Sequence, residues 1–157
     1  MNTNYKGKNL QVLMGGKSIG LATSHSLSIT VNTADTTTKD SAGQWSDAEV
    51  TTMQWSMNTD NLCSHGTDGS DTEAMIDATL VGTKVTVLFG LVTPLDAQVP
   101  TGGFTVNESA TDKFAYTGQA IITSMSVTAN NGEKATFSVT FTGVGALTKV
   151  VPAQAGQ

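Results

Sequence analysis

The residues whose types and spacing could do chemistry are few. Gly15-Gly16-Lys17-Ser18 matches the end of a phosphate-binding loop, in which backbone amides and a lysine hold phosphate groups. The pattern needs an earlier glycine at the position of Gln11, and the flanking residues alternate as in a β-hairpin instead of leading from a strand into a helix. The segment therefore predicts a tight turn and no nucleotide site.

A second candidate site brings metal-ligand residue types close together in sequence, at Cys63, His65, Asp68 and Asp71. One cysteine and one histidine cannot complete a tetrahedral zinc site, and the acids do not have the spacing of a calcium loop. We interpret the stretch as a polar connection, and we predict no metal and no cofactor.

Catalytic groups are equally sparse. Glu73 and Asp77 lie four residues apart, where two carboxylates on one helix face could share acid and base work, but an exposed helix face explains them as well. His25 stands between two serines at the start of a predicted strand, which favours a surface residue over a catalytic base. No nucleophile elbow is present. The sequence predicts that the protein is not an enzyme.

Composition narrows the classes further. The 157 residues suit one domain, 1–157, and the net charge of −5 comes from 13 acids and 8 lysines, with no arginine. Tight nucleic-acid binding is not expected, because arginine forks and clustered lysines are missing. The lone cysteine cannot form an internal disulfide, and no apolar run near the N-terminus predicts a signal or a membrane span. We expect a soluble cytoplasmic product.

Period-two alternation predicts a chain of strands. Residues 9–23 form a predicted hairpin with Gly15-Gly16 at its turn, which pairs Val12 with Ile19 and Leu10 with Leu21. Further strands are predicted at 26–31, 53–58 and 85–91. The one predicted helix, about residues 71–81, begins at a capping box in 70–73 and is closed by Gly82.

A long C-terminal hairpin is predicted from Phe114 to Gly143. A two-residue turn at Asn131-Gly132 would place Val127 opposite Thr136, whereas a three-residue loop with Gly132 left-handed would place it opposite Ala135 and bring more apolar residues together. We favour the second. The apolar positions change parity near Thr123-Ser124, which predicts a β-bulge there.

The remaining segments lack periodicity. Residues 33–49 and 92–112 predict two long loops, and 152–157 predict a frayed tail. The fold class is therefore mainly β, an antiparallel sandwich or barrel with one flanking helix.

The order of these features resembles the phage major tail (tail tube) proteins. Residues 6–10 (KGKNL) open into the Gly-Gly hairpin and are followed by 19–24 (IGLATS), as at the start of those proteins. A Thr-rich run with Lys-Asp-Ser and Gly, at 35–43, precedes Trp45 and then a strand with Trp55. The closing hairpin is also similar, in the residues 120–124 (AIITS), 131–132 (NG), 135–137 (ATF) and 141–143 (FTG).

The resemblance implies a structural subunit that assembles with itself into stacked six-membered rings. If each copy gives four strands to a common barrel, the lumen is roughly 35 Å wide, enough for a DNA duplex. DNA would pass without tight binding, because an acidic, arginine-free lining does not capture phosphates. The resemblance also implies other tail proteins as partners (sheath or terminator, tape measure), no membrane, and a place in the virion tail after synthesis in the host cytoplasm.

The resemblance further implies that residues 33–49 form a loop that reaches the next ring. The candidate contact residues are Asp35, Lys39, Asp40 and Trp45, with Trp45 as the anchor. Trp45 could instead cover the core of its own subunit. The alternative function is a glycan-binding β-sandwich, in which Trp45, Trp55 and Tyr116 would stack on sugar rings.

Overall fold

The computed structural model describes residues 7, 10–15, 17–19, 21–39, 43, 45–65, 72–93, 105–106 and 115–150. Its elements are β1 (Leu10–Met14), β2 (Lys17–Ser18), β3 (Leu21–Asp35), β4 (Ala48–Leu62), α1 (Thr72–Val81), β5 (Val85–Thr93), β6 (Thr105–Val106), β7 (Ala115–Thr128) and β8 (Thr136–Lys149). The chain is mainly antiparallel β with a single described helix, as the alternation predicts.

The strands join in the order β2-β1-β5-β7-β8-β4-β3, and β6 pairs with β5. β5 pairs with the first half of β7, at 115–120, whereas β4 pairs with the first half of β8, at 136–142. Of the described strands, only β7 and β8 run through both halves of the sheet. Register shifts in β7 between Thr117 and Gln119 and between Ile122 and Ser124 lie where the halves meet, and the second confirms the predicted bulge.

The core lies between the two halves of the sheet. Its buried apolar side chains come from β1, β4, β5, β7 and β8: Val12, Trp55, Met57, Val87, Ala120, Ile122, Phe137, Val139 and Phe141. The helix α1 packs on β7 and adds Met75, which is fully buried. Gly82 ends α1 with φ +68° and donates its N–H to Ala78 O at 3.2 Å, so the predicted helix stop is confirmed.

The prediction for the first hairpin is right at the turn and wrong beyond it. Met14 pairs with Lys17 across a turn in which Gly15 has φ +61°, which is the predicted register. The predicted pair of Leu10 with Leu21 does not form; Leu10 pairs with Leu91 of β5, and Leu21 pairs with Leu62 of β4. A longer ladder with β4 takes the second arm into β3.

In the C-terminal hairpin both predicted registers are wrong. Val127 lies opposite Phe137, and the loop spans 129–135. The wider loop contains a turn in which Glu133 N–H donates to Asn130 O at 3.2 Å, and Gly132 has φ +86°, the left-handed conformation that was expected. Apolar cross-strand pairing still decides the register.

The two predicted loops are shorter than expected. β3 continues to Asp35 and β4 begins at Ala48, because the ladder extends through the pairs Ala34 with Glu49 and Asp35 with Ala48 without any apolar alternation. Within 92–112, β5 extends to Thr93 and β6 adds a two-residue ladder to it. The proposed capping-box residues 70–71 and the tail 152–157 lie outside the described residues.

Candidate assembly surface

The structure does not bring those candidate chemical residues that it describes together into a site. Cys63 is half-buried, Asp68 and Asp71 lie outside the described residues, and His65 lies 3.9 Å from Glu73 with both side chains exposed. In the described part of the chain no three His, Cys, Asp or Glu side chains are grouped as a metal site would require. None of the helices described there is long and apolar enough to span a membrane.

The prediction that His25 is a surface residue is wrong. Its imidazole is largely buried, and Nδ1 accepts a hydrogen bond from the backbone N–H of Val12 at 3.3 Å. A core position was not expected from its serine neighbours, which point to the opposite face of β3.

A polar wall covers one face of four neighbouring strands. The ladder registers place the even-numbered residues of β3 (24–32), β4 (52–60), β8 (136–142) and β7 (124–128) on this face. All are Ser, Thr, Asn or Gln except Asp60, whose carboxylate accepts a hydrogen bond from Ser138 Oγ at 2.6 Å. The polar wall is therefore almost uncharged, and most of its side chains are exposed.

The opposite face of the β3–β4 hairpin is apolar far beyond the core. The ladder between β4 and β8 ends at the pair Ser56 with Thr142, so the outer parts of β3 and β4 project as a two-stranded arm, described at residues 28–39, 43 and 45–55. On the arm, the core-side face carries exposed apolar residues that form an apolar stripe: Ile29, Val31, Val50 and Met53. Ile29 is 59% exposed and Met53 69% exposed, so the apolar pattern continues where none of the described residues covers it.

Trp55 lies at the root of the arm and is only 6% exposed. Its indole lies flat against Gly118 of β7 and Gly143 of β8, and a Cβ built on either glycine would overlap the ring. Its Nε1–H donates to Gly145 O at 3.0 Å. The indole therefore fastens the arm to the bend where β7 and β8 pass from one half of the sheet to the other.

The tip of the arm is closed by a small hydrogen-bonded neck. Thr37 N–H donates to Asp35 Oδ1 at 2.8 Å, and Asp47 N–H donates to Thr37 Oγ1 at 2.9 Å. Thr36 N–H also donates to Asp47 O at 2.9 Å. The hydrogen bonds from Thr37 lower the pKa of the exposed Asp35 carboxyl. Asp35, predicted as a contact residue, thus has a local role in shaping the turn.

The other predicted contact residues lie beyond this neck. Trp45 is 86% exposed, so it does not cover the core of its own subunit in this structure. Lys39 is also exposed, and Asp40 lies outside the described residues. Asp35, Lys39 and Trp45 therefore share the end of the arm, and a contact with another ring stays a prediction.

Sequence reasoning missed the apolar stripe as a surface. It assigned Met53 and the Leu27–Val31 alternation to the core face, which is correct for the direction of the side chains but not for their burial. The sequence did carry a signal for this surface, because the apolar alternation in β3 and β4 continues beyond the stretch that one neighbouring strand could cover. The glycan-binding alternative loses its platform, since Trp55 is buried against glycines and Tyr116 is half-buried.

Comparison with known proteins gives a family match. A family model described as phage tail tube protein matches residues 16–149, which is most of the chain. No curated protein sequence matches the chain.

Solved structures show the same fold at low identity. A chain from the C6-symmetric tail of an empty gene transfer agent particle is 16% identical, with a TM-score of 0.70 over 94% of this chain and all of that one. The SPP1 tail tube protein is 12% identical, with a TM-score of 0.63 over 90% of this chain and 77% of that one. A chain from the six-fold symmetrised anti-feeding prophage baseplate is 10% identical, with a TM-score of 0.56 over 90% of this chain and 92% of that one.

The contact of Trp55 with glycine can be tested by adding one methyl group. Gly143→Ala places a Cβ inside the indole, so we expect the free energy of unfolding, measured in urea, to fall by about 1–3 kcal/mol. Gly7→Ala is the matched control, because a Cβ there meets nothing within 4 Å. In a Trp55→Leu background the same change at Gly143 should lose most of its effect. Equal urea midpoints for Gly143→Ala and the parent chain would contradict this role of the contact between Trp55 and glycine.

Proposed function

We propose that this chain, which belongs to the phage tail tube protein family, closes with copies of itself into six-membered rings that stack into a conduit for DNA. Its family makes it a structural component of the phage tail. The observation that carries the finer proposal is the arm, whose apolar stripe is exposed and whose strand edge is unpaired among the described residues.

Two strand edges support ring closure. No described strand pairs with the outer edge of β3, or with β7 over residues 121–128, and these edges lie at opposite sides of the polar wall. Unpaired edges of this length are normally covered. In a ring, β3 of one copy would pair with β7 of the next, and each copy would give four strands (β7, β8, β4 and β3) to one closed barrel.

The apolar stripe supports the same arrangement. An arm that continues the barrel beyond β8 would lay its core-side face on the body of the neighbouring copy. Ile29 and Met53 would then lose their exposed apolar surface, at about 25 cal/mol for each Å² removed from water. The stripe faces away from the polar wall, so burying the stripe leaves the wall accessible.

The polar wall is the face that we assign to the lumen. A wall of hydroxyl and amide groups with one carboxylate per chain has no cation to hold phosphates, and the chain has no arginine at all. Because neutralising phosphates is what makes DNA binding tight, DNA would move along this surface without being captured.

Two of the similar structures, the gene transfer agent tail and the anti-feeding prophage baseplate, have six-fold symmetry, which supports a ring of six here. The exposed tip of the arm would contact the next ring through Asp35, Lys39 and Trp45. Asp40, which lies outside the described residues, is the fourth candidate contact residue. Membership of the family suggests other tail proteins as further partners, such as sheath or terminator and tape measure proteins. The chain would be synthesised in the host cytoplasm and then join the tail.

Negative-stain electron microscopy of concentrated protein tests assembly. The parent chain should form rings or tubes. The double variant Ile29→Thr, Met53→Gln should raise the protein concentration needed for assembly by more than about tenfold, because it removes apolar surface that the neighbour buries. Circular dichroism should show that the double variant keeps the fold of the parent chain.

The matched control is Ile76→Thr, Leu80→Gln, which removes a similar pair of side chains from the outer face of α1, where Leu80 is 80% exposed. This control should assemble like the parent chain. If the arm variant also assembled like the parent, the apolar stripe would have no part in ring closure. A parent chain that stays monomeric at every concentration would count against the proposed function itself.

Stacking is tested separately at Trp45. Trp45→Ala should change the free energy of unfolding by no more than about 0.5 kcal/mol, since the side chain is exposed, yet it should abolish tube growth. Trp45→Phe, which keeps an aromatic anchor, should retain growth. Tubes of normal length from Trp45→Ala would refute the anchor role while leaving ring closure intact.

A further inference from the structure

The two ends of the sheet meet at a seam between β1 and β3. These strands stand near opposite ends of the strand order, yet the backbone N–H of Val12 donates to Nδ1 of His25 at 3.3 Å. Val12 is fully buried, so its N–H would have no water to turn to if the imidazole moved away. His25 thus ties β1 to β3 across the seam.

Only the neutral imidazole of His25 can accept this hydrogen bond. Nδ1 accepts, so the single ring proton of His25 is on Nε2. A second proton, on Nδ1, would place an N–H against the N–H of Val12. Protonation therefore replaces an attraction across the seam with two opposed donors.

Some polar atoms in and around the imidazole of His25 have no hydrogen-bond partner among the described residues. Thr59 lies opposite His25 in the β3–β4 ladder, and Asn61 Nδ2 donates to Thr59 Oγ1 at 2.8 Å. Nε2 of His25 and Oδ1 of Asn61 are both buried, and neither has a hydrogen-bond partner among the described residues. The seam is thus a polar weak point beside an otherwise apolar core.

Few charges lie near His25. β1 carries no ionisable side chain in Leu10–Met14, and β4 contributes Asp60, which acts to raise the pKa of His25. Burial has the larger effect and lowers that pKa from 6.5 to about 4. A lowered histidine pKa means that the opened seam binds the proton better than the closed one. Closure is therefore fully favoured above pH 6.5 and is lost as the pH falls towards 4.

We propose that His25 is an acid-sensitive latch, which holds β1 against β3 while it is neutral and releases the seam when it is protonated. Release breaks the hydrogen bond between Val12 N–H and His25 Nδ1 and lets β1 move away from β3. The latch depends on the geometry within one chain and does not require that the chain assembles.

Amide hydrogen exchange of the full chain, at a concentration where it is monomeric, tests the latch. With the pKa values above, the open population should rise on the order of 10- to 30-fold between pH 8 and pH 5, and the protection factor of the Val12 amide should fall by that factor. His25→Asn keeps an acceptor oxygen that does not titrate, so its Val12 protection should stay within about twofold over the same range. His65→Gln, at an exposed histidine, should behave like the parent chain.

Protection of Val12 that is unchanged at pH 5 in the parent chain would overturn the latch, and so would an equal loss in His25→Asn. Should His25→Asn fail to fold, an NMR titration of the parent imidazole decides the question. The proposal requires the Nε2-protonated tautomer and a midpoint well below the ordinary histidine pKa of 6.5. A normal midpoint for His25 would overturn it.

Discussion

The contact of Trp55 with Gly118 and Gly143 is the interaction on which the rest of the structure depends. Below it, β4 pairs with β8 and the side chains on the inner face are buried; above it, no other described strand lies beside β3 and β4. The indole fits only because both strands beneath it lack a Cβ at the point of contact, and its Nε1–H satisfies a carbonyl at the bend. One aromatic side chain therefore divides a self-sufficient sandwich from an arm that has apolar surface to bury.

The arm has two faces with opposite properties, and strand periodicity is the reason. Successive side chains point to opposite sides, so a sequence that alternates Ser or Thr with Ile, Val or Met makes one wet and one apolar face over its whole length. In the proposed ring, the apolar face would lie against a neighbouring copy and the wet face would line the bore. The same alternation would then supply both the adhesion between subunits and a surface that does not retain DNA.

Much of this fold could be predicted from local patterns. The strands, the helix stop at Gly82, the turn at Gly15 and the bulge near Thr123 each follow from residues close in sequence. Pairings that depend on competition between distant strands could not be predicted. Leu21 pairs with Leu62 instead of Leu10, and Val127 lies opposite Phe137 across a wider loop, because the longer ladders and the apolar pairing prevail over the shortest turn. The burial of His25 and the exposure of Ile29 also depend on where neighbouring strands end, which alternation does not encode.

The central claim is that the edge of β3 and the apolar stripe are completed by another copy of the chain. A cryo-electron microscopy reconstruction of the assembled protein tests it most directly. The account predicts that β3 of one subunit is hydrogen-bonded to β7 of the next, with Ile29 and Met53 buried under the neighbour and the polar wall facing the bore. A tube in which that stripe faces solvent, or in which β3 has no strand beside its outer edge, would contradict it.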